Sequence, residues 1–445
     1  MIALAFSELR LQWRLWMGML VMSAASAAVL SVGMSIIDTG LYYGGEYRTN
    51  LAGGASVVFL FSGAAAIAVL ASVADLTVVQ SHHSYALWKL AGVRRRAVRV
   101  VVLVQTGVVG IVGAVIGLAA VRPVIDPVFH YAFGSAPVIE RITAQFGALT
   151  IIGTPLATLA VLLVGSWRSA GRAARTPPLV LLRDPEPKRR LGWLRVGIAV
   201  LVSCGAAVQI WFLQAATLKE LAATAPMVAP LLMFALTLWA PVVYPLVLRC
   251  WTAIVPAGWS SSWYLARHQT RARVTMSTAA ITPLLVAVAL TGGLYSIVAV
   301  MRGSVPGWSD AVIRVNEAAL ILGGPILLGA IGSTIVVVMT GRSRSRELAL
   351  LRVGGAGTGI LVAAAVWEAV IQVVSAVLLG GAVVIVSVVV VVDALRRHVP
   401  DAMPAFDVRL VGWIAVLGAV LVIAATVLPA LRALRTPPMR QLGVE

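Results

Sequence analysis

Acidic side chains are scarce in this chain, with 17 Asp and Glu against 35 Lys and Arg, and charged residues of every kind fill only 12% of its 445 positions. Soluble domains carry roughly a quarter charged residues, so a water-soluble globular enzyme is excluded. Lysine occurs only at Lys89, Lys188 and Lys219, and none of the three follows a glycine. A P-loop needs Gly-Lys followed by Ser or Thr to cradle phosphates, so the chain lacks a Walker A motif and any ATPase activity is expected in a partner. Cysteine occurs twice, as Cys204 and Cys250, each in or beside an apolar run. Neither a disulfide framework nor a Cys-based metal site is indicated. No Ser-His-Asp, Cys-His or paired-carboxylate constellation stands out, so no catalytic, metal-ligating or cofactor-binding residue is expected.

What is present is apolar: 60% of residues are hydrophobic and mean hydropathy is +0.96. Crossing a hydrocarbon core takes about 20 helical residues. Runs of that length fall at about 15–37, 55–80, 98–121, 147–168, 194–216, 226–250, 274–300, 316–341, 359–392 and 408–431. The sequence therefore predicts an all-α membrane protein of about ten transmembrane helices. The first run has small residues near Ser26 that imitate a signal-peptide cut, but the repeat below argues that it is retained. The ninth run is too long for a simple crossing and must tilt, kink or project; its Val-rich outer half is expected to project.

The net charge of +18 sits in short clusters between the apolar runs rather than on one basic domain, which points to lipid rather than nucleic acid. Segments at the chain start and near 81–99, 167–195, 249–273, 342–352 and 432–440 hold 26 of the 35 Lys and Arg. By the positive-inside rule both termini are expected in the cytoplasm of a multi-pass plasma membrane protein. The loops 38–54, 122–146, 217–225, 301–315 and 393–407 then face outward, and none is long enough for a folded domain.

Arg172-Ala-Ala-Arg-Thr-Pro-Pro178 recurs as Arg432-Ala-Leu-Arg-Thr-Pro-Pro438, 260 residues on, each time after an apolar run. At an offset of 263, Ala86-Leu87-Trp88-Lys89-Leu90-Ala91-Gly92 aligns with Ala349-Leu350-Leu351-Arg352-Val353-Gly354-Gly355, and Gln105 with Glu368. The chain reads as a 4+2+4 arrangement: a first four-span unit over 1–183, two linking spans over 184–259, and a second four-span unit over 260–445. Six spans separate equivalent positions, so the two repeats have parallel topology.

Residues 84–91 bring Leu87, Leu90 and Ala91 toward one helical side, next to Lys89 and Arg94 to Arg96, and 347–353 repeat the pattern with Leu348, Leu351 and Arg352. They read as short amphipathic interfacial helices, either anchors on lipid headgroups or docking surfaces for a cytoplasmic partner. Glu368 lies about nine residues into its run, where a charge costs about 2.5–3.5 kcal/mol on insertion scales. It is either a proton or substrate site or a paired carboxylate packed between helices. His82-His83 lacks a nearby carboxylate or Cys and is not read as a metal site. Gly107, Gly110, Gly113 and Gly117 form a small-residue face suited to close helix contact. Tyr42, Tyr43 and Tyr47, with Phe129, Tyr131 and Phe133, read as an interfacial belt or as contacts for an amphipathic ligand.

The segment Arg346-Glu-Leu-Ala-Leu-Leu-Arg-Val-Gly-Gly355, followed by a span carrying Glu368, resembles the signature of FtsX-like (MacB-type) permeases of ABC transporters. The first copy departs from it, with Ser84 and Tyr85 where Glu347 and Leu348 stand and Gln105 in place of Glu368. The Arg-Thr-Pro-Pro segments resemble the ending of each such permease unit. The resemblance implies short cytoplasmic helices, here residues 84–94 and 345–355, seated in two copies of an ATP-binding subunit that alone binds ATP. Leu87, Trp88, Lys89, Leu90 and Arg94, with Glu347, Leu350, Leu351 and Arg352, are then the docking residues, and Gln105 and Glu368 the intramembrane polar ones. The function implied is ATP-driven export or displacement of an amphipathic peptide or lipid-like substrate. The large periplasmic domain that some family members carry after the first span has no counterpart here beyond residues 38–54, which weakens lipoprotein release or tripartite efflux. The alternatives are a proton-coupled secondary transporter using Glu368, and an ATPase-driven signalling or scaffold protein that contacts a sensor kinase or an extracytoplasmic partner.

Overall fold

The computed structural model describes residues 13–133, 142–175, 193–272, 274–304, 315–406 and 408–435. Among these residues all regular structure is helical. Nine helical stretches are long and apolar enough to cross a membrane, and the shorter apolar stretch Leu320–Val336 lies inside a further long helix. Helices satisfy every backbone donor and acceptor internally, which lipid demands. Packing divides the chain into two units, Met1–Pro187 with Met301–Ile331 and Lys188–Val300 with Gly332–Glu445. This division cuts across the one drawn from the sequence repeat.

In the first unit, α1 (Trp13–Tyr43), α2 (Gly45–Gln80), α4 (Arg95–Val121) and α6 (Thr154–Arg175) form a bundle in which α1 packs on α2 and α4, and α6 packs on α4 and α2. The short helices α3 (His82–Leu90) and α5 (Ile125–Phe133) connect them. The glycine face of α4 makes the bundle tight. A Cβ on Gly113 would lie 2.7 Å from the Ser23 Cβ and 2.8 Å from the Leu20 carbonyl oxygen, and one on Gly117 would overlap the Ala24 backbone. The Ser23 hydroxyl donates to the Gly110 carbonyl at 2.8 Å. Small residues thus let backbones approach where lipid offers no hydrophobic drive.

Residues 38–54, expected as an outward loop, are almost entirely helical. α1 runs on to Tyr43, α2 starts at Gly45, and Gly44 and Gly45 reverse the chain at φ +65° and +56°, a conformation open to glycine without a Cβ penalty. The polar end of α1 and the start of α5 are held by hydrogen bonds from the segment 144–150. Thr150 donates to the buried Asp38 carboxylate through its amide (2.7 Å) and hydroxyl (2.6 Å), Gln145 N–H donates to Thr39 Oγ1 (2.9 Å), and Ala144 N–H donates to Asp126 (2.9 Å). Tyr42 and Tyr131 are exposed, and the Tyr43 hydroxyl lies 3.4 Å from Thr143 Oγ1.

The second unit contains α7 (Trp193–Ala215), α8 (Leu218–Thr224), α9 (Val228–Leu238), α10 (Ala240–Ile254), α11 (Ser261–Ala272), α12 (Val274–Ser304), α14 (Thr358–Leu395) and α15 (Val408–Arg435), with the later part of α13 (Val315–Val353). α12 is its most enclosed span. Gly380 of α14 and Gly418 of α15 meet Val288 and Leu284 of α12. The span expected at 226–250 is instead an apolar stretch over Leu218–Leu238 followed by the separate helix α10. The ladder breaks at Trp239, where Arg195 donates to the Leu238 (2.8 Å) and Thr237 (3.0 Å) carbonyls and the Trp239 indole donates to Ser203 (3.2 Å). A guanidinium supplies the donors that the interrupted helix lacks.

The ninth run is one unbroken helix of 38 residues, about 57 Å at 1.5 Å per residue. Its C-terminal end is not bare: α7, α8 and α9 pack along α14, Gln214 donates to Asp393 (2.9 Å), and Arg397 donates to the Gln214 carbonyl (2.9 Å).

Candidate partner-docking site

Each of the two segments singled out by the repeat ends in a tight turn, and the turns match bond for bond. In the first, Ala91 N–H donates to Leu87 O, Gly92 N–H to Lys89 O, and Val93 N–H to Trp88 O, each at 3.0 Å. In the second, Gly354 donates to Leu350, Gly355 to Arg352, and Ala356 to Leu351, again each at 3.0 Å. All six donors and acceptors correspond at the offset of 263. This is the Schellman closure, in which a left-handed residue ends the helix and the orphan carbonyls of the last turn are satisfied. Gly92 and Gly355 supply that residue, at φ +88° and +89°.

The next helix also starts alike. Arg94 (φ −63°, ψ 144°) caps α4, and Gly357 (φ −66°, ψ 146°) caps α14. The apolar contacts behind each turn correspond too. Trp88 and Val93 pack against Val98 and Val102, and Leu351 and Ala356 against Leu361 and Ala365.

Outside the turn, Leu87 and Leu90 are exposed in the first copy and Leu350 and Val353 in the second, 51%, 58%, 55% and 65% accessible. Lys89 and Arg352 stand between them, each half-buried. Burial and the neighbouring Arg95 charge hold the Lys89 ammonium below the usual lysine range. Arg94 is exposed. The Glu347 side chain lies outside the described residues, as do those of His82, His83 and Leu348. Val353 was not singled out in the sequence, although the offset that pairs Leu87 with Leu350 also pairs Leu90 with Val353.

The two copies differ in how they join the preceding helix. Residues 345–353 are the last turns of α13, which runs from Val315, whereas residues 84–90 belong to the separate short helix α3. Ser81 divides α2 from α3, and backbone hydrogen bonds bridge it, with Ser81 N–H donating to Thr77 and Tyr85 N–H to Ser81.

The intramembrane polar residues are placed as follows. Gln105 is fully buried in α4. Glu368 is half-buried in α14 and accepts a hydrogen bond from Gln372 Nε2 at 3.4 Å, one turn on. No cluster of metal-ligating side chains occurs among the described residues. α6 and α15 are helical through Arg175 and Arg435, while the Thr-Pro-Pro segments at 176–178 and 436–438 lie outside the described residues.

Fold and apolar helices together define a multi-pass, all-helical membrane protein. Compared with known proteins, the chain matches no family model and no curated relative. The FtsX-like resemblance therefore stands on the residues quoted above.

Proposed function

We propose that this chain is the permease subunit of an ABC transporter of FtsX-like type, with two parallel four-span units joined by two linking spans. Its two helix tips seat in two copies of a cytoplasmic ATP-binding subunit. The observation that carries this reading is the recurrence, at one offset, of an identical glycine turn behind an exposed apolar pair and a basic residue. A lipid anchor needs only basic and apolar composition, whereas two tips of the same backbone geometry suit a partner that presents the same cleft twice. The spans below the tips would pass the opening and closing of the partner to the outer face and expel or displace an amphipathic peptide or lipid-like substrate. The Lys and Arg distribution supports a cytoplasmic side for both termini.

The test is purification of the full chain from its own cells and identification by mass spectrometry of what remains bound. The expected result is an ABC-type ATP-binding subunit, lost from Leu87→Asp with Leu350→Asp while the permease elutes unchanged on size exclusion. Absence of such a subunit from the wild type would overturn the reading and favour proton coupling through Glu368, to be examined with Glu368→Gln.

A further inference from the structure

At the end of the second unit that carries the Gly355 turn, α11 lies along α14, its Leu265 packed behind the turn. Trp263, Arg267 and Arg271 recur every fourth residue and so share one face of α11. Arg271 donates to the Thr252 hydroxyl (2.7 Å) and to the Arg249 carbonyl (3.0 Å), and Arg267 to the Val255 carbonyl (3.3 Å). These bonds close the C-terminal end of α10 and gather Arg249, Arg267 and Arg271 in one place. Burial and the charges of Arg267 and Arg249 hold the Arg271 guanidinium below its usual range, as expected of cations crowded together.

No ion pair to an acidic side chain is seen at this cluster among the described residues. Residues 221–309 contain no Asp or Glu, and Glu368 of α14 accepts from Gln372 on its own helix. The Arg267 Nε–H is buried and has no acceptor, and so is the Trp263 Nε1–H. Trp259, Trp263 and Trp367 stack beside the cluster with ring centroids 5.3–6.3 Å apart, and Ile254, Trp259 and Tyr264 are exposed around it. The site thus joins crowded cations and a guanidinium N–H without an acceptor to an open apolar rim, which fits an anion with hydrocarbon attached.

We infer that Arg249, Arg267 and Arg271 bind the phosphate headgroup of an anionic phospholipid whose chains lie against Ile254, Trp259 and Tyr264. The site rests on the membrane class of the protein alone and does not depend on an ATP-binding partner. Basic pockets beside spans recognise anionic headgroups in this way.

Native mass spectrometry of the detergent-purified full chain, titrated with phosphatidylglycerol and with phosphatidylcholine of the same acyl chains, tests it. The wild type is expected to retain phosphatidylglycerol and release phosphatidylcholine. Arg249→Gln with Arg267→Gln is expected to bind phosphatidylglycerol about thirtyfold more weakly. A charge-matched control, Arg95→Gln with Arg96→Gln, should bind as wild type does. Arg249→Gln alone, which removes an exposed side chain and leaves the α10 closure intact, keeps the test decisive if the double variant does not fold; about fivefold weakening is expected from it. Equal weakening in the control would reduce the effect to general surface charge and overturn the site. Displacement of the lipid by millimolar inorganic phosphate would overturn the lipid assignment in favour of a free anion, and unchanged binding in the Arg249 variants would overturn both.

Discussion

Gly92 and Gly355 hold φ values that cost a residue bearing a Cβ about 1–2 kcal/mol, and neither has a heavy atom near the position a Cβ would take. Valine at either place therefore strains the backbone without a clash. Gly92→Val and Gly355→Val should lower the thermal midpoint in detergent by similar amounts, because the two turns are superimposable bond for bond. Gly117 differs in kind. A Cβ there meets the Ala24 backbone, which cannot yield as a side chain can, so Gly117→Val should destabilise by about 1–3 kcal/mol through overpacking, with the loss seen as aggregation on fluorescence-detected size exclusion. Glu220 closes a capping box at the start of α8, its carboxylate accepting from the Thr217 amide and hydroxyl, each at 2.9 Å. Glu220→Ala removes that cap and should lower the thermal midpoint in detergent.

Helix lengths follow from apolar run lengths, and the fate of most runs was legible for that reason. What the sequence hid were features whose partners lie far along the chain. The break at Trp239 falls inside an apolar stretch, and the guanidinium that makes it tolerable comes from Arg195, 43 residues earlier. Asp38 and Asp126 accept amide hydrogen bonds from Thr150 and Ala144, contacts that no local pattern announces. The two turn segments recur in register along the sequence, but amphipathic spacing cannot distinguish a short separate helix such as α3 from the final turns of a long one such as α13. Arg195→Met takes the guanidinium from the Leu238 and Thr237 carbonyls and leaves Thr237 only its backbone donor, so it should destabilise the protein more than Trp239→Phe, which costs only the Ser203 bond. Thermal unfolding followed by tryptophan fluorescence compares the two.

The whole chain is organised by which surfaces face lipid and which face water, and the distribution of Lys and Arg makes that a directional prediction. In a Cys204→Ala, Cys250→Ala background, Leu90→Cys and Val353→Cys should react with a membrane-impermeant maleimide only in inside-out vesicles, and Asp401→Cys only in intact cells. Labelling of Leu90→Cys and Asp401→Cys from the same side would overturn the topology. The repeat itself was visible as seven aligned residues; that it extends to dihedral angles and to the packing behind each turn could be known only from coordinates. The Gly355 turn has a mechanical corollary. Only Ala356 and Gly357 stand between it and the start of α14 at Thr358, and the turn is closed by three backbone hydrogen bonds with Leu351 and Ala356 packed on Leu361 and Ala365. So short and braced a link has little slack, and a displacement applied at the tip is handed to the first turns of α14 rather than lost in a loop.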